Sequence, residues 1–305
     1  MKPECRVTDT ARTRGWSTAR ALALGRSALV SMVIAFAPQG VWSALIVVNL
    51  KTTPAVPWAT AVMTLALWFV VRHLNGRPQP SSGPDVRRRP PRANLVSRRV
   101  LLWAWVAGAL AVVALIGVWI TLASIVRMPG SVLPDLSAYP WWTAGFAVVT
   151  GAAISPLCEQ AGFWGYWQVA LESEFSGLTA ILCTAIVFAV LPHPPGHAPL
   201  WPKWLFFFLT GCTFSTMAYL TDSILPGLAV HVLALFTFFT VVWPRDAQRP
   251  LFGETGAGAW FWIHIAQAAV FSALAYWAFQ RLRRACQPPC PKSVAQLGAT
   301  AETVS

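Results

Sequence analysis

The sequence predicts an all-α fold, a polytopic transmembrane helical bundle of about eight spans. The composition favours this class because 56% of the 305 residues are hydrophobic and only 11% are charged. A soluble domain normally carries about a quarter charged residues. The mean hydropathy is +0.54, and the chain contains a series of apolar runs of about 17 to 25 residues, the length that a helix needs to cross a bilayer. These properties exclude an ordinary soluble domain.

The predicted spans follow one another along most of the chain. They cover residues 29–49, 55–74, 100–126, 141–167, 177–192, 203–220, 226–243 and 259–280. The first span contains Pro38, Gln39 and Gly40, which predict a kink because proline removes a backbone hydrogen bond. Such a break is tolerated inside a bundle, where neighbouring helices satisfy the freed backbone groups.

The basic residues predict the topology. The 23 Lys and Arg residues concentrate before the first span, between the second and third, and after the last. The positive-inside rule places these regions, and therefore both termini, on the cytoplasmic side of the cell membrane. The chain divides into a basic N-terminus (1–28), a two-span hairpin (29–74), a basic, Pro-rich, disordered linker (75–99), a six-span membrane domain (100–284) and a cytoplasmic tail (285–305).

The net charge of +12 does not indicate nucleic-acid binding, because the basic residues flank the predicted spans. Basic residues at these positions attract the anionic headgroups of the cytoplasmic leaflet. Membrane lipids are therefore the expected partners, and nucleic acid is not.

One carboxyl group lies inside a predicted span. Glu159 falls in the fourth span, His231 in the seventh and His264 in the eighth, and His193 follows the apolar part of the fifth. Ionisable groups in a bilayer usually face a partner or a water-filled cavity. These residues therefore predict water activation, a metal site or a proton path. We expect Glu159 and His231 to share one cavity, and His264 to form an interhelical hydrogen bond.

Familiar catalytic motifs of other classes are absent from the sequence. It contains no His-Glu-x-x-His, no P-loop and no Gly-x-Ser-x-Gly, which argues against zincins, nucleotide-binding proteins and α/β-hydrolases. Ser155 and Cys158 offer nucleophiles close to Glu159, but no neighbouring residue supplies a paired base.

Three segments resemble the motifs of one family of membrane proteases. They are EQAGFWGYWQVALE (159–172), FAVLPH (188–193) and LTDSILPGLAVH (220–231). In order and spacing they are similar to the Glu-Glu-x-x-x-Arg, Phe-x-x-x-His and third His motifs of the CPBP family, which comprises CAAX proteases and bacteriocin-processing enzymes and is also called the Abi family. The resemblance covers about residues 141–243, with the motif positions within 155–235.

The resemblance implies peptide hydrolysis inside the membrane, in a cavity that faces the cytoplasm. Glu159 would act as the general base, His193 as its partner, and His231 as an oxyanion donor or metal ligand. The glutamate mechanism requires no cofactor. A metal-dependent mechanism would place a divalent metal such as zinc on His193 and His231. The substrate would be a membrane-embedded or lipidated peptide.

The sequence departs from the family pattern at several motif positions. The supporting positions are filled by Gln160, Trp164 and Phe188, but Gln160 replaces the second Glu and Trp164 replaces the Arg. Leu235 stands at the Asn or Asp position, and His193 comes one residue late. Two alternatives therefore stay open beside the peptidase. One is a family member that has lost catalysis and acts as a membrane binding or scaffold protein, and the other is a small proton-coupled transporter.

Overall fold

A computed structural model describes residues 17–75, 91–127, 136, 138–191 and 201–287. Within these residues the fold is all-α and contains no β-strand, as the sequence predicts. The helices are α1 (Thr18–Thr52), α2 (Trp58–Asn75), α3 (Arg98–Ile125), α4 (Trp141–Glu159), α5 (Gln168–Glu174), α6 (Gly177–Val190), α7 (Trp201–Thr221), α8 (Leu225–Thr237), α9 (Phe252–Thr255) and α10 (Ala259–Cys286). A π-helical segment, Gln160–Trp167, joins α4 to α5, and a second π-helical segment, Phe238–Val242, continues α8 into a 3-10 turn, Trp243–Gln248.

Each predicted span corresponds to a helix of the structure. Within the described residues, six helical stretches are long and apolar enough to cross a membrane, and they are Thr18–Thr52, Arg98–Ile125, Trp141–Glu174, Trp201–Thr221, Leu225–Asp246 and Ala259–Cys286. The remaining two predicted spans correspond to shorter apolar helices, Trp58–Phe69 and Gly177–Val190. The chain is an integral membrane protein.

Two helices extend beyond their predicted ends. Helix α1 begins at Thr18, well before residue 29, because Ser17 caps it by accepting a hydrogen bond from the backbone N–H of Arg20 at 3.4 Å. The fourth span continues through the first π-helical segment and α5 as far as Glu174. Apolar periodicity marks only the part of a helix that contacts lipid or core, so it misses these polar turns.

Helix α1 continues through Pro38. The Gln39 side chain turns back along the helix, and its Nε2 donates to the carbonyl oxygen of Ala35 at 2.6 Å. The predicted break therefore does not end the helix, and the Gln39 amide is held in one orientation.

Small residues allow the helices to pack closely. Helix α3 packs along α10, α6 along α7, and α1 against the first π-helical segment. A Cβ atom added at Gly162 in that segment would lie 2.7 Å from the carbonyl oxygen of Ser31 in α1. Only glycine permits this approach, which brings α1 against the middle of the bundle.

The linker that the sequence predicts as disordered is packed over its described part, residues 91–97, while residues 76–90 lie outside the described residues. Arg92 is buried and donates through both NH groups to the carboxylate of Glu172, each at 2.9 Å. Its Nε donates to Asp222 Oδ1, also at 2.9 Å. A buried guanidinium is stable only when it is paired in this way. The Pro-rich composition gave no sign of these distant partners.

Candidate active site

Glu159 is the last residue of α4, directly before the π-helical segment Gln160–Trp167. Its side chain is 13% exposed. The Ser155 hydroxyl, one turn earlier, lies 2.7 Å from Glu159 Oε1. A π-helical segment widens the turn and often occurs at functional sites. Here it changes the direction of the side chains that follow the carboxylate.

His231 lies in the middle of α8 and faces Glu159. Its Nε2 is 3.6 Å from Glu159 Oε2. The ring stacks on Phe214, with ring centroids 4.4 Å apart and an interplanar angle of 25°, and Trp164 meets it edge-on at 6.0 Å. These aromatic contacts fix the plane of the imidazole. Its Nδ1 is buried and has no hydrogen-bond partner among the described residues.

A single water molecule beside Glu159 and His231 could contact both side chains. At 3.6 Å the pair is longer than a direct hydrogen bond, which is about 2.7 to 3.2 Å. The two atoms are too close for a water to lie between them, but a water beside the pair can bridge them. A water on the cavity side can contact both Glu159 Oε2 and His231 Nε2, so the two residues can bind and activate it.

Both residues line a cavity of about 560 Å³. The cavity lies among α1, α3, α4, α6, α7 and α8. Its polar lining consists of Gln39, Ser43, Ser155, Glu159, Thr210 and His231, and the other lining residues are apolar, aromatic or glycine. No Lys or Arg is found among the described residues that line it. The cavity therefore suits a largely apolar guest that presents a polar group to Glu159 and His231.

The prediction that Glu159 and His231 share one cavity is confirmed by this geometry. They come from segments more than 70 residues apart in the sequence, and the closely packed α4 and α8 bring them together. Burial drives the pairing, because each group is costly in hydrocarbon alone.

Residues 140–237 match the family model described as Type II CAAX prenyl endopeptidase Rce1-like. The chain carries an Rce1-like domain. The match confirms the resemblance to the CAAX protease family that the sequence motifs indicate. Comparisons with the curated proteins and with the solved structures find no significant match.

The Rce1-like domain runs from the start of α4 to the end of α8, so it contains both Glu159 and His231. Helices α1, α2, α3 and α10 lie outside it. The family is one of proteases.

The other predicted site residues have different environments. Phe188 lines the cavity and packs against Trp164, with ring centroids 5.0 Å apart. Trp164 is fully buried, and its indole N–H donates to Ser215 Oγ at 2.8 Å. Gln160 is also fully buried but is not among the residues that line the cavity. His193 lies outside the described residues.

Gln160 packs against α8 near the site. A Cβ atom added at Gly227 would lie 3.2 Å from both the oxygen and the nitrogen of its side-chain amide. Neither amide atom has a hydrogen-bond partner among the described residues. Gln160 therefore contributes to helix packing here and does not contact Glu159's cavity.

His264 lies away from the site, on α10. Its Nδ1 is 3.0 Å from Gln267 Oε1 in the same helix. The interhelical hydrogen bond comes from Gln267, whose Nε2 donates to the carbonyl oxygen of Val113 in α3 at 2.9 Å. The prediction of an interhelical bond by His264 is therefore wrong, and the Gln267 amide makes the bond instead.

The structure adds two residues that the sequence did not assign to the site. Ser155 appears in the sequence as a nucleophile without a base, and Gln39 as part of a helix break. In the structure the Ser155 hydroxyl contacts both Glu159 and Gln39. A polar amide inside an apolar span was the available signal for Gln39, because such residues rarely face lipid.

The described residues contain no group of three His, Cys, Asp or Glu side chains that could hold a metal ion. Glu159 and His231 supply two such side chains, and a catalytic zinc commonly takes three protein ligands. The described residues therefore do not form a zinc site by themselves, and His193, the other predicted ligand, lies outside them.

Proposed function

We propose that this protein is an intramembrane endopeptidase that hydrolyses a membrane-associated peptide with water activated by Glu159. The observation that carries the proposal is the approach of Glu159 Oε2 and His231 Nε2 to 3.6 Å in an apolar cavity. The Rce1-like match over both residues supports it.

The reaction begins with a water bound on the cavity side of Glu159 and His231, in contact with both. Glu159 takes a proton from this water as the oxygen bonds to the peptide carbonyl carbon. The carbonyl electrons move to oxygen, and the resulting oxyanion accepts a hydrogen bond from His231 Nε2–H. Collapse of this intermediate breaks the carbon–nitrogen bond, and the leaving amine takes the proton from Glu159. His193 retains the supporting role that the family resemblance implies.

The chemistry of the cavity favours a hydrophobic substrate. Phe36, Trp42 and Phe207 are among the aromatic residues that line it. An isoprenoid, an acyl chain or the apolar part of a transmembrane helix fits such a lining, since burial contributes about 25 cal/mol for each Å² of apolar surface. The substrate class is therefore a membrane-embedded or lipidated peptide.

Leu235 supports a second candidate function, in which the protein binds such a peptide or lipid and does not cleave it. This residue stands where the family pattern has Asn or Asp, and it lines the cavity with an apolar side chain. A hydrocarbon side chain cannot stabilise an oxyanion. In this second function the cavity binds the apolar part of the ligand, and the Glu159–His231 pair recognises one of its polar groups.

We also propose that the protein lies in the cell membrane with both termini in the cytoplasm. The basic flanks of the spans support this orientation through the positive-inside rule.

Hydrolysis by the purified full-length protein in liposomes tests the proposal. The substrates are a prenylated peptide with a CAAX-type end and a peptide from a transmembrane helix, with products identified by mass spectrometry. We expect the wild type to cleave one of them and Glu159→Gln to be slower by about 10² to 10⁴.

The matched control is Glu174→Gln, at a carboxylate that pairs with Arg20 at 3.8 Å outside the cavity. This variant should cleave at the wild-type rate. Equal rates for wild type and Glu159→Gln would contradict the mechanism. Binding of the peptides without cleavage by folded wild type would favour the binding function.

A further inference from the structure

Helix α1 contributes a complete face to the cavity although it lies outside the Rce1-like match. The lining residues of this helix are Phe36, Gln39, Trp42, Ser43, Ile46 and Val47. Their spacing of three and four residues places them on one side of an α-helix. The family-matched segment, residues 140–237, therefore encloses only part of the site.

Gln39 is oriented by its own helix. Its Nε2 donates to the Ala35 carbonyl oxygen at 2.6 Å, which turns its Oε1 towards α4. There Oε1 lies 2.9 Å from the Ser155 hydroxyl. The atom that Gln39 presents to Ser155 is therefore the amide oxygen, which accepts the hydroxyl hydrogen.

Ser155 connects Gln39 to the carboxylate. Its hydroxyl oxygen lies 2.9 Å from Gln39 Oε1 and 2.7 Å from Glu159 Oε1. A hydroxyl has one hydrogen to donate. It can donate to an ionised Glu159, or it can accept a hydrogen bond from a protonated Glu159 and turn its own hydrogen to Gln39. The same three side chains thus hold the carboxyl group before and after it takes a proton.

We propose that Gln39 and Ser155 are positioning residues that hold Oε1 of Glu159 and leave Oε2 directed at His231 and the reacting water. This inference rests on the proposed function for its catalytic consequence. The structural part of the inference, that Gln39 acts on Glu159 through Ser155, can be tested without any hydrolysis. It means that α1 is part of the active site.

Chemical labelling of Glu159 tests the connection without a substrate. A hydrophobic carbodiimide reacts with membrane-embedded carboxyl groups, and peptide mass spectrometry of the full-length protein in liposomes gives the rate at Glu159. Loss of the Ser155 contact should free Oε1 to react. We expect Ser155→Ala to raise the rate about two- to tenfold, the effect of one hydrogen bond, and Ser155→Thr, which keeps the hydroxyl, to restore it.

Gln39→Leu distinguishes action through Ser155 from a general loosening of the site. It should raise labelling when Ser155 is present and have a smaller effect in the Ser155→Ala background, because residues that act through one another are not additive. The matched controls are Gln267→Leu on α10 and Thr150→Val on α4, whose side chains bond to Val113 and Phe146 carbonyl oxygens outside the cavity. Both should label at the wild-type rate.

Two labelling results would overturn the inference. One is an unchanged rate in Ser155→Ala, and the other is a Gln39→Leu effect of equal size in both backgrounds. Where hydrolysis is detected, Gln39→Leu and Ser155→Ala should each lower kcat about tenfold with little change in KM, because the lost contact orients a catalytic group. Complete absence of hydrolysis with the expected labelling pattern would refute the proposed function and leave the positioning inference intact.

Discussion

Replacement of Arg92 by Met should destabilise the protein strongly, because it leaves a buried carboxylate without its main partner. The side chains of Arg92 and Glu172 are 1% and 5% exposed, and both NH groups of Arg92 bond to Glu172. Removing one member of a buried ion pair costs about 3 to 5 kcal/mol. Gln168 still donates to Glu172 at 2.8 Å, and the Asp222 side chain is 26% exposed. We therefore expect the lower end, about 3 kcal/mol.

The backbone at Arg92 shows that the ion pairs offset a conformational cost. Arg92 has φ +59° and Asp222 has φ +51°, and the left-handed region costs a non-glycine residue about 1 to 2 kcal/mol. A residue without the three side-chain hydrogen bonds of Arg92 would keep only the backbone hydrogen bond from Ile224 N–H to its carbonyl oxygen, at 3.0 Å, to offset this cost. Arg92→Met keeps the length of the side chain and removes the charge, so it isolates the ionic contribution.

Unfolding of the purified protein in mixed detergent micelles measures this effect, with the fluorescence of the 17 Trp residues as the signal. Arg92→Met/Glu172→Leu should recover part of the lost stability, since removing both partners leaves fewer unpaired charges. Glu174→Gln, at a partly exposed ion pair, should change stability by less than about 1 kcal/mol. A loss below about 1 kcal/mol in Arg92→Met, or a double variant less stable than the single one, would refute this reasoning.

Three further predictions follow from the site and the packing. Leu235→Asn should raise kcat, by up to about 10²-fold, if the new amide reaches the oxyanion, and an unchanged rate would show that this position does not face the reacting carbonyl. Gly162→Val should destabilise the protein by about 1 to 3 kcal/mol, measured by detergent unfolding, because its Cβ would lie 2.7 Å from the Ser31 carbonyl oxygen. A cysteine placed near Arg88 should resist an impermeant thiol reagent in intact cells, and labelling from outside would contradict the proposed topology.

The fold could be predicted from the sequence because it depends on a local property, the hydropathy of successive windows. The pairing of Glu159 with His231 was also predictable, since two polar groups in apolar spans lower their cost by meeting. The π-helical turn after Glu159 was not predictable, because no local pattern in the sequence distinguishes it from an α-helical turn, while the close approach of Gly162 to α1 is a tertiary contact.

The contacts of Gln39 and Arg92 were not predictable for a different reason. Gln39 meets Ser155 across 116 positions of sequence, and Arg92 meets Asp222 across 130. The presence of each residue could be explained locally: Gln39 as part of a helix break, and Arg92 as one of the basic residues that set the topology. Only the tertiary structure shows that Gln39 and Arg92 each bond to a side chain of the Rce1-like domain.

Single-turnover hydrolysis in ¹⁸O-labelled water tests most directly whether Glu159 delivers a water molecule to the peptide. With enzyme in excess over substrate, the general-base mechanism predicts one ¹⁸O atom in each new carboxylate of the product and none in Glu159. Attack by Glu159 itself would form an anhydride, whose hydrolysis can transfer an unlabelled oxygen from Glu159 to the product. Product without ¹⁸O in the first turnover, or ¹⁸O recovered in Glu159, would contradict the mechanism.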